Sequence, residues 1–306
     1  MFMRRPRLSA AQLLGLTLFT STMGAQQSGT SSAVQIAVAP QYDRTHVYVA
    51  PDQVDQFVTA FLGVFGGKST KQVVATVTPT SSSTTSQLLQ TPVGTVSLFG
   101  FKTPIPAPFG AERTGYMVTD LDTALKAARD AGADVIVAPF PDPIGRDAVI
   151  CFPGGVATQI YWHTTAPSYA AFMTIPENRV YVSADRADTF VRSFLSFSGG
   201  HIVSDDPAAP GAEIGRPGET FRRIRVESTF GKLVAWVTDG HMVYPYGRET
   251  TGYEVANLTA TVEKAKELGV KVVIPPYSSQ GRIAAMVEFP GGYLAEIHSL
   301  EKSSSQ

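Results

Sequence analysis

Two stretches of the chain carry apolar residues at helical spacing. Val54, Phe57, Val58, Phe61, Leu62 and Phe65 fall on one stripe, and Ala187, Phe190, Val191, Phe194 and Leu195 repeat it. Two further helices are marked by their ends. One starts at Asp120, a side chain suited to an N-cap, and stops before Gly132; the other runs from Asn257 to Gly269 in the same manner. Each helix follows a short strand and precedes β-rich runs such as "ADVIVAPF", "AVICF" and "ATQIYWH". The predicted order is strand, helix, then three strands, four times over.

The four units are repeats. "HVYVAPDQVDQFVTAFLGVFGGK" (His46 to Lys68) matches "RVYVSADRADTFVRSFLSFSGGH" (Arg179 to His201). "GYMVTDLDTALKAARDAGADVIVAPF" (Gly115 to Phe140) matches "GYEVANLTATVEKAKELGVKVVIPPY" (Gly252 to Tyr277). The chain is therefore two tandem halves of about 130 residues, each made of two modules. "FPGG" closes both halves, at Phe152 and at Phe289. Pro at the second turn position and Gly at the third suit a type II turn, which predicts a hairpin between the last two strands. Two regions break the symmetry. "TPTSSSTTSQ" reads as a polar, flexible stretch, and "SDDPAAPGAEIGRPGETFRRIRVE" as a long Pro/Gly loop before an arginine-rich strand.

Composition adds limits. At 43% apolar and 17% charged, the chain suits a folded core rather than a disordered tail. Residues 1–25 read as a secretory signal: Arg4, Arg5 and Arg7 precede an apolar run from Ala10 to Phe19, too short to span a bilayer, then small residues up to Ala25. The adjacent Arg4 and Arg5 leave Sec and twin-arginine export both open. Without those arginines the chain is mildly acidic, which gives no reason to expect a nucleic-acid or membrane partner; a small-molecule ligand is expected. Cys151 is the single cysteine, so no internal disulfide is available, and it is placed on a strand.

Four βαβββ modules with the passage "DLDTALKAARDAGADVIVAPFPDPIGRDAVICFPGG" resemble the vicinal oxygen chelate superfamily of glyoxalases, bleomycin- and fosfomycin-resistance proteins and extradiol dioxygenases. The resemblance runs from about Arg44 to Ser299. It implies an α+β fold in which pairs of modules curl into two tandem cup-shaped glyoxalase-like domains, at residues 43–166 and 176–300. Residues 26–42 would be a linker and 301–306 a tail. The fold hosts unrelated chemistries, so it does not by itself fix a reaction.

Members of the superfamily that use a divalent metal draw ligands from the start of the first strand and from the last strand of each module. Carried onto this sequence, the first-strand positions are Arg44, Arg113, Glu177 and Thr250, and the last-strand positions are Gln159 and Glu296. Arginine cannot coordinate a cation. The first cup is thus expected to be metal-free, with Arg44, His46, Arg113 and Gln159 binding a ligand, the arginines suiting a carboxylate or phosphate. The second cup gathers Glu177, Glu254, Glu296 and His298. Glu296 and Glu177 are the candidate catalytic residues, and Glu296, Glu177 and His298 the candidate ligands of a Zn, Ni, Mn or Fe ion in that domain only. Arg179, Arg223 and Arg225 are candidate ligand-binding residues there, and Arg179 speaks against a metal by pairing with a carboxylate. Extradiol ring cleavage is disfavoured, because the two first-strand histidines it needs are replaced by Glu177 and Thr250. Two readings stay open: a glyoxalase-like lyase or isomerase using the second cup, and a metal-free binding or sequestering protein of the bleomycin-resistance type.

Overall fold

The computed structural model describes residues 35–301; the expected signal peptide and most of the expected tail lie outside them. Seventeen strands form two sheets, and each half of the chain supplies one. In the first half, β1 (Arg44–Val49) leads into α1 (Val54–Phe65), then short β2 (Lys68–Ser69) and β3 (Val73–Ala75), then β4 (Thr84–Thr91) and β5 (Gly94–Phe101). The second module runs β6 (Thr114–Met117), α2 (Leu121–Asp130), β7 (Asp134–Asp142), β8 (Gly145–Phe152) and β9 (Val156–His163). The sheet order is β2-β4-β5-β1-β6-β9-β8-β7, with β3 also on β4.

The second half repeats the plan. It comprises β10 (Glu177–Ser183), α3 (Ala187–Ser198), β11 (His201–Pro210), β12 (Thr220–Ser228), β13 (Gly231–Thr238), β14 (Thr250–Glu254), α4 (Leu258–Glu267), β15 (Lys271–Ser279), β16 (Arg282–Phe289) and β17 (Tyr293–Leu300). In each sheet the first strands of the two modules meet antiparallel at the centre, β1 on β6 and β10 on β14.

The local signals act as expected at the helix ends. The amide of Thr123 donates to Asp120 Oδ1 at 2.8 Å, and that of Ala260 donates to Asn257 Oδ1 at 3.1 Å, satisfying first-turn donors of α2 and α4. Both FPGG segments are turns, with Gly155 N–H donating to Phe152 O and Gly292 N–H to Phe289 O. The third turn residues, Gly154 and Gly291, have φ of 100° and 84°, where an L side chain is strained. Cys151 lies half-buried on β8. Among the described residues, no helix is long and apolar enough to cross a membrane.

Two stretches differ from expectation. The end of "TPTSSSTTSQ" is strand: Thr84 and Thr85 open β4, buried against β5. β-branched threonines tolerate a pleated, half-buried surface, which outweighs the polar composition. The long Pro/Gly "loop" is a hairpin of β11 and β12 around a 3₁₀ turn at Gly211–Ile214, with two register shifts, one of which, between Asp206 and Ala209, takes in Pro207.

The apolar stripes of the helices are buried between the halves. One core joins Phe57 and Phe61 of α1 to Tyr253, Val262, Phe289 and Tyr293 of the fourth module. The other joins Leu121 and Leu125 of α2, with Phe152, to Phe190, Phe194 and Phe197 of α3 and to Phe230. First module packs on fourth, and second on third. The closing turns join in: a Cβ on Gly291 would lie 2.4 Å from Val49 Cγ1, so only glycine lets that turn approach the opposite half.

Candidate functional site

Strand alternation aims every second residue of a sheet away from the helices, and in each half these residues line a cup. In the first cup they surround a cavity of 290 Å³, lined by Arg44, His46 and Tyr48 of β1, Ser97, Phe99 and Phe101 of β5, Asp147 of β8, and Gln159, Tyr161 and His163 of β9. Phe109, Val73 and Ala75 complete an apolar side, and Tyr169 folds back over the opposite side from beyond β9.

Arg44 is the cation of this cup. Its Nη2 is 3.0 Å from Tyr169 Oη and 3.4 Å from His163 Nε2, and its guanidinium stacks 4.3 Å from the Tyr161 ring centroid. No carboxylate lies within 4 Å of it among the described residues, and its Nε is buried without a protein partner. Burial, and then the Arg44 charge, push His163 down to about 4, so it is neutral at pH 7. Asp147 is 5% exposed; its Oδ2 accepts from Gln159 Nε2 at 2.7 Å, and its Oδ1 is buried without a partner. Burial raises its carboxyl to about 8, with Asp142 adding to the rise, against the lowering pull of Arg44 and Gln159. The cup therefore holds a protonated acid, a guanidinium and a neutral imidazole beside an aromatic wall.

His46, also on the wall of this cavity, pairs with Glu112. Its Nδ1 is 3.4 Å from Glu112 Oε1, which also accepts from the Tyr48 hydroxyl. A Cβ at residue 115 would lie 2.5 Å from His46 Nε2, so Gly115 makes the room for this ring. The expectation that Arg113 shares the cup with Arg44 does not hold. Arg113 lies just before β6, 5.8 Å over the outer face of Tyr48, beside a separate 80 Å³ cavity with Arg248 and Glu249.

The second cup is filled. Trp236, Ile214, Tyr246 and Met286 pack inside it with Met242 and Phe221. Glu177, Glu296 and His298 do come together, with ligand atoms within 4.8 Å of one another, all buried. Two guanidinium groups come with them. Arg179 Nη1 is 2.8 Å from Glu296 Oε2, and Arg282 donates to both oxygens of Glu177 at 2.9 and 3.1 Å. Burial alone would raise Glu177, but the hydrogen bonds from Arg282 and the charges of Arg179 and Arg282 hold it far below the usual carboxylate range. Glu296 is likewise lowered, burial being outweighed by Arg179 and by His298. Arg179 thus stands where a cation would, and the arrangement does not fit a divalent ion. Glu254 stays out of the cluster, 3.9 Å from Lys232 Nζ. Arg223 is bound by Glu213, Nη1 to both oxygens at 2.7 Å, and is not free to orient a ligand; Arg225 has no carboxylate within 4 Å among the described residues.

Sequence reasoning missed Asp147, Phe101 and Tyr169. Asp147 was legible by alternation: it stands two residues after Gly145 on a strand whose partner carries Gln159 and Tyr161 on the same face. Tyr169 was not, because it reaches Arg44 from irregular backbone.

No family model matches the chain, and no curated protein matches it. Solved structures do. A variant of 4-hydroxymandelate synthase from Streptomyces coelicolor is 12% identical, with 88% of this chain and 94% of that one superposed at a TM-score of 0.61. The two-cup architecture is therefore a known one. The chain has the vicinal oxygen chelate fold. Two more structures of that fold agree. The Mn(II)-bound glyoxalase from Novosphingobium aromaticivorans is 12% identical over 89% of this chain and 86% of its own, at a TM-score of 0.54. A homoprotocatechuate 2,3-dioxygenase variant from Brevibacterium fuscum is 10% identical over 90% and 75%, at 0.53.

Proposed function

We propose that this vicinal oxygen chelate protein is an exported, metal-free small-molecule-binding protein, and that its first cup holds an organic anion with an apolar body. The observation that carries the reading is Arg44: a guanidinium without a carboxylate partner, its buried Nε unsatisfied, on the wall of a 290 Å³ cavity. A buried donor left unpaired is costly, and an anionic ligand supplies the missing acceptor. Phe99, Phe101 and Phe109 offer the apolar contact. The test is calorimetric titration of the mature chain with aromatic and aliphatic carboxylates and their uncharged amides. Binding of carboxylates, lost for the matched amides, is expected; equal binding of both, or of neither, sinks the reading. Export follows from the signal-like residues 1–25. An expressed chain whose N-terminus remains Met1 after fractionation would remove it.

A metal-dependent lyase or isomerase in the second cup is the other reading, supported by the meeting of Glu177, Glu296 and His298. It requires Arg179 and Arg282 to leave two buried carboxylates, which weighs against it. Stoichiometric Zn, Ni, Mn or Fe in the purified protein, lost in Glu296→Ala, would restore it.

A further inference from the structure

A second cavity, of 40 Å³, lies apart from both cups where Asp43 and Arg44 of the first half meet Asn178, Gly231 and Lys232 of the second. Its surroundings are clamped by contacts between the halves. Thr45 Oγ1 is 3.0 Å from Thr251 Oγ1, Thr114 Oγ1 donates to Glu249 Oε1 at 2.6 Å, and Tyr116 stacks on Phe230 with centroids 4.4 Å apart. Three wall atoms are buried and have no protein hydrogen-bond partner among the described residues: both carboxylate oxygens of Asp43, and Oδ1 of Asn178. A Cβ on Gly231 would lie 4.0 Å from Asp43 Oδ2, so this carboxylate reaches across to the second half.

All three are acceptors while Asp43 is ionised; burial pushes its carboxyl well above the usual range, against the backbone amide of Met117, and a bound cation would oppose that rise. The cationic side chains on the walls do not serve them: Lys232 Nζ points to Glu254 Oε2 at 3.9 Å, and the Arg44 guanidinium stacks on Tyr161 in the first cup. A buried, unpaired carboxylate is strongly disfavoured. A water brings two hydrogens to three acceptors, whereas a cation satisfies all of them at once. The space admits a small occupant, since about 10–15 Å³ of such volume is enough for one water. Charge sets the valence. One carboxylate, neutral oxygens and a nearby lysine suit a single positive charge, while Ca²⁺ gathers six to eight oxygens with several carboxylates.

We propose that this cavity is a monovalent metal-cation site, for Na⁺ or K⁺, which ties the two halves together through Asp43 and Asn178. The experiment is thermal unfolding of the mature protein in NaCl, KCl and tetramethylammonium chloride at equal ionic strength. The expected result is a Tm that rises with the logarithm of Na⁺ or K⁺ concentration and not with tetramethylammonium, which is too large to enter. Asp43→Asn flattens that rise, and Asn178→Ala, which keeps the carboxylate, moves it to higher cation concentration. Coincident Tm curves for the wild-type chain in all three salts overturn the site, because water or a proton then satisfies Asp43. A cation response unchanged in whichever variant folds overturns it too.

Discussion

The two cups share a backbone plan and differ in what fills them. Phe99 of the first corresponds to Trp236 of the second, His46 to Arg179, Ser86 to Arg223, Gly145 to Arg282 and Asp147 to Ala284. In four of these five pairs the second cup has the larger side chain, and in three of them it is an arginine. Arg179, Arg223 and Arg282 find carboxylates, Arg225 does not among the described residues, and the aromatic residues pack on one another. The first cup has Ser86 and Gly145 where the second has Arg223 and Arg282, and its guanidinium, Arg44, is left without a carboxylate. The Gln159–Glu296 difference falls into line. Gln159 donates to Asp147, where a carboxylate would meet a second acid; Glu296 faces Arg179, where an amide would remove the nearer of two carboxylates from a buried cation. The same scaffold spends its charges on structure in one copy and holds them ready in the other.

That contrast can be broken by experiment. The largest effect is expected from Arg179→Met, which leaves Glu296 buried and uncompensated. The loss should be about 3–5 kcal/mol of unfolding free energy, read from urea denaturation. A loss below about 1 kcal/mol, the range of exposed ion pairs, would show that the second cup is not a closed ionic core. Next comes Arg44→Gln, which should cost little stability but about 1.5–3 kcal/mol of carboxylate affinity, or at least tenfold in Kd. An unchanged Kd would move the ligand out of the first cup.

A further effect concerns pH. Burial holds the folded Asp147 carboxyl at about 8, against about 3.9 in an unfolded chain. Folding favours its protonated form, so its contribution is complete below about pH 4 and is lost as pH rises towards about 8. Asp147→Asn cannot ionise, and its stability should fall less than the wild type's across that window. Glu249, raised by burial to about 7, has the same sign and is present in both proteins, so it cancels in the comparison. Superimposable pH–stability profiles would disprove the Asp147 assignment. The smallest expected effect is that of added Zn²⁺, Ni²⁺ or Mn²⁺ on wild-type Tm, which should be negligible if Arg179 holds the cation position. A clear rise abolished in Glu296→Ala would reverse the roles of the two cups.

Most of the architecture was legible in the sequence, because helix stripes, caps and FPGG turns are local signals and the duplication printed each of them twice. The site was legible only in part. Alternation along β1, β9, β10 and β17 correctly grouped Arg44 with His46, and Glu296 with His298, since the pleat fixes side-chain direction. Which group pairs with which is a long-range matter. Arg282 reaches Glu177 across 105 positions of sequence, and Glu213 reaches Arg223 from a turn that looked like a loop. No spacing rule carries that information, and so the acid-rich second cup read as a candidate metal site, with Arg179 against it, rather than as a paired ionic core. Arg113 failed for a related reason: it lies one residue before its strand begins, where alternation no longer governs direction.

The crossed packing of the helices has a consequence for the origin of the molecule. First module on fourth and second on third is, with the repeats equated, the same contact made twice, the pattern of an isologous dimer about a twofold axis. The single chain thus has the layout of a symmetric dimer of its two halves. In a true homodimer, any change to one cup is imposed on the other. In one chain that constraint is absent, and here one half is packed with ion pairs and aromatic residues while the other keeps an open cavity.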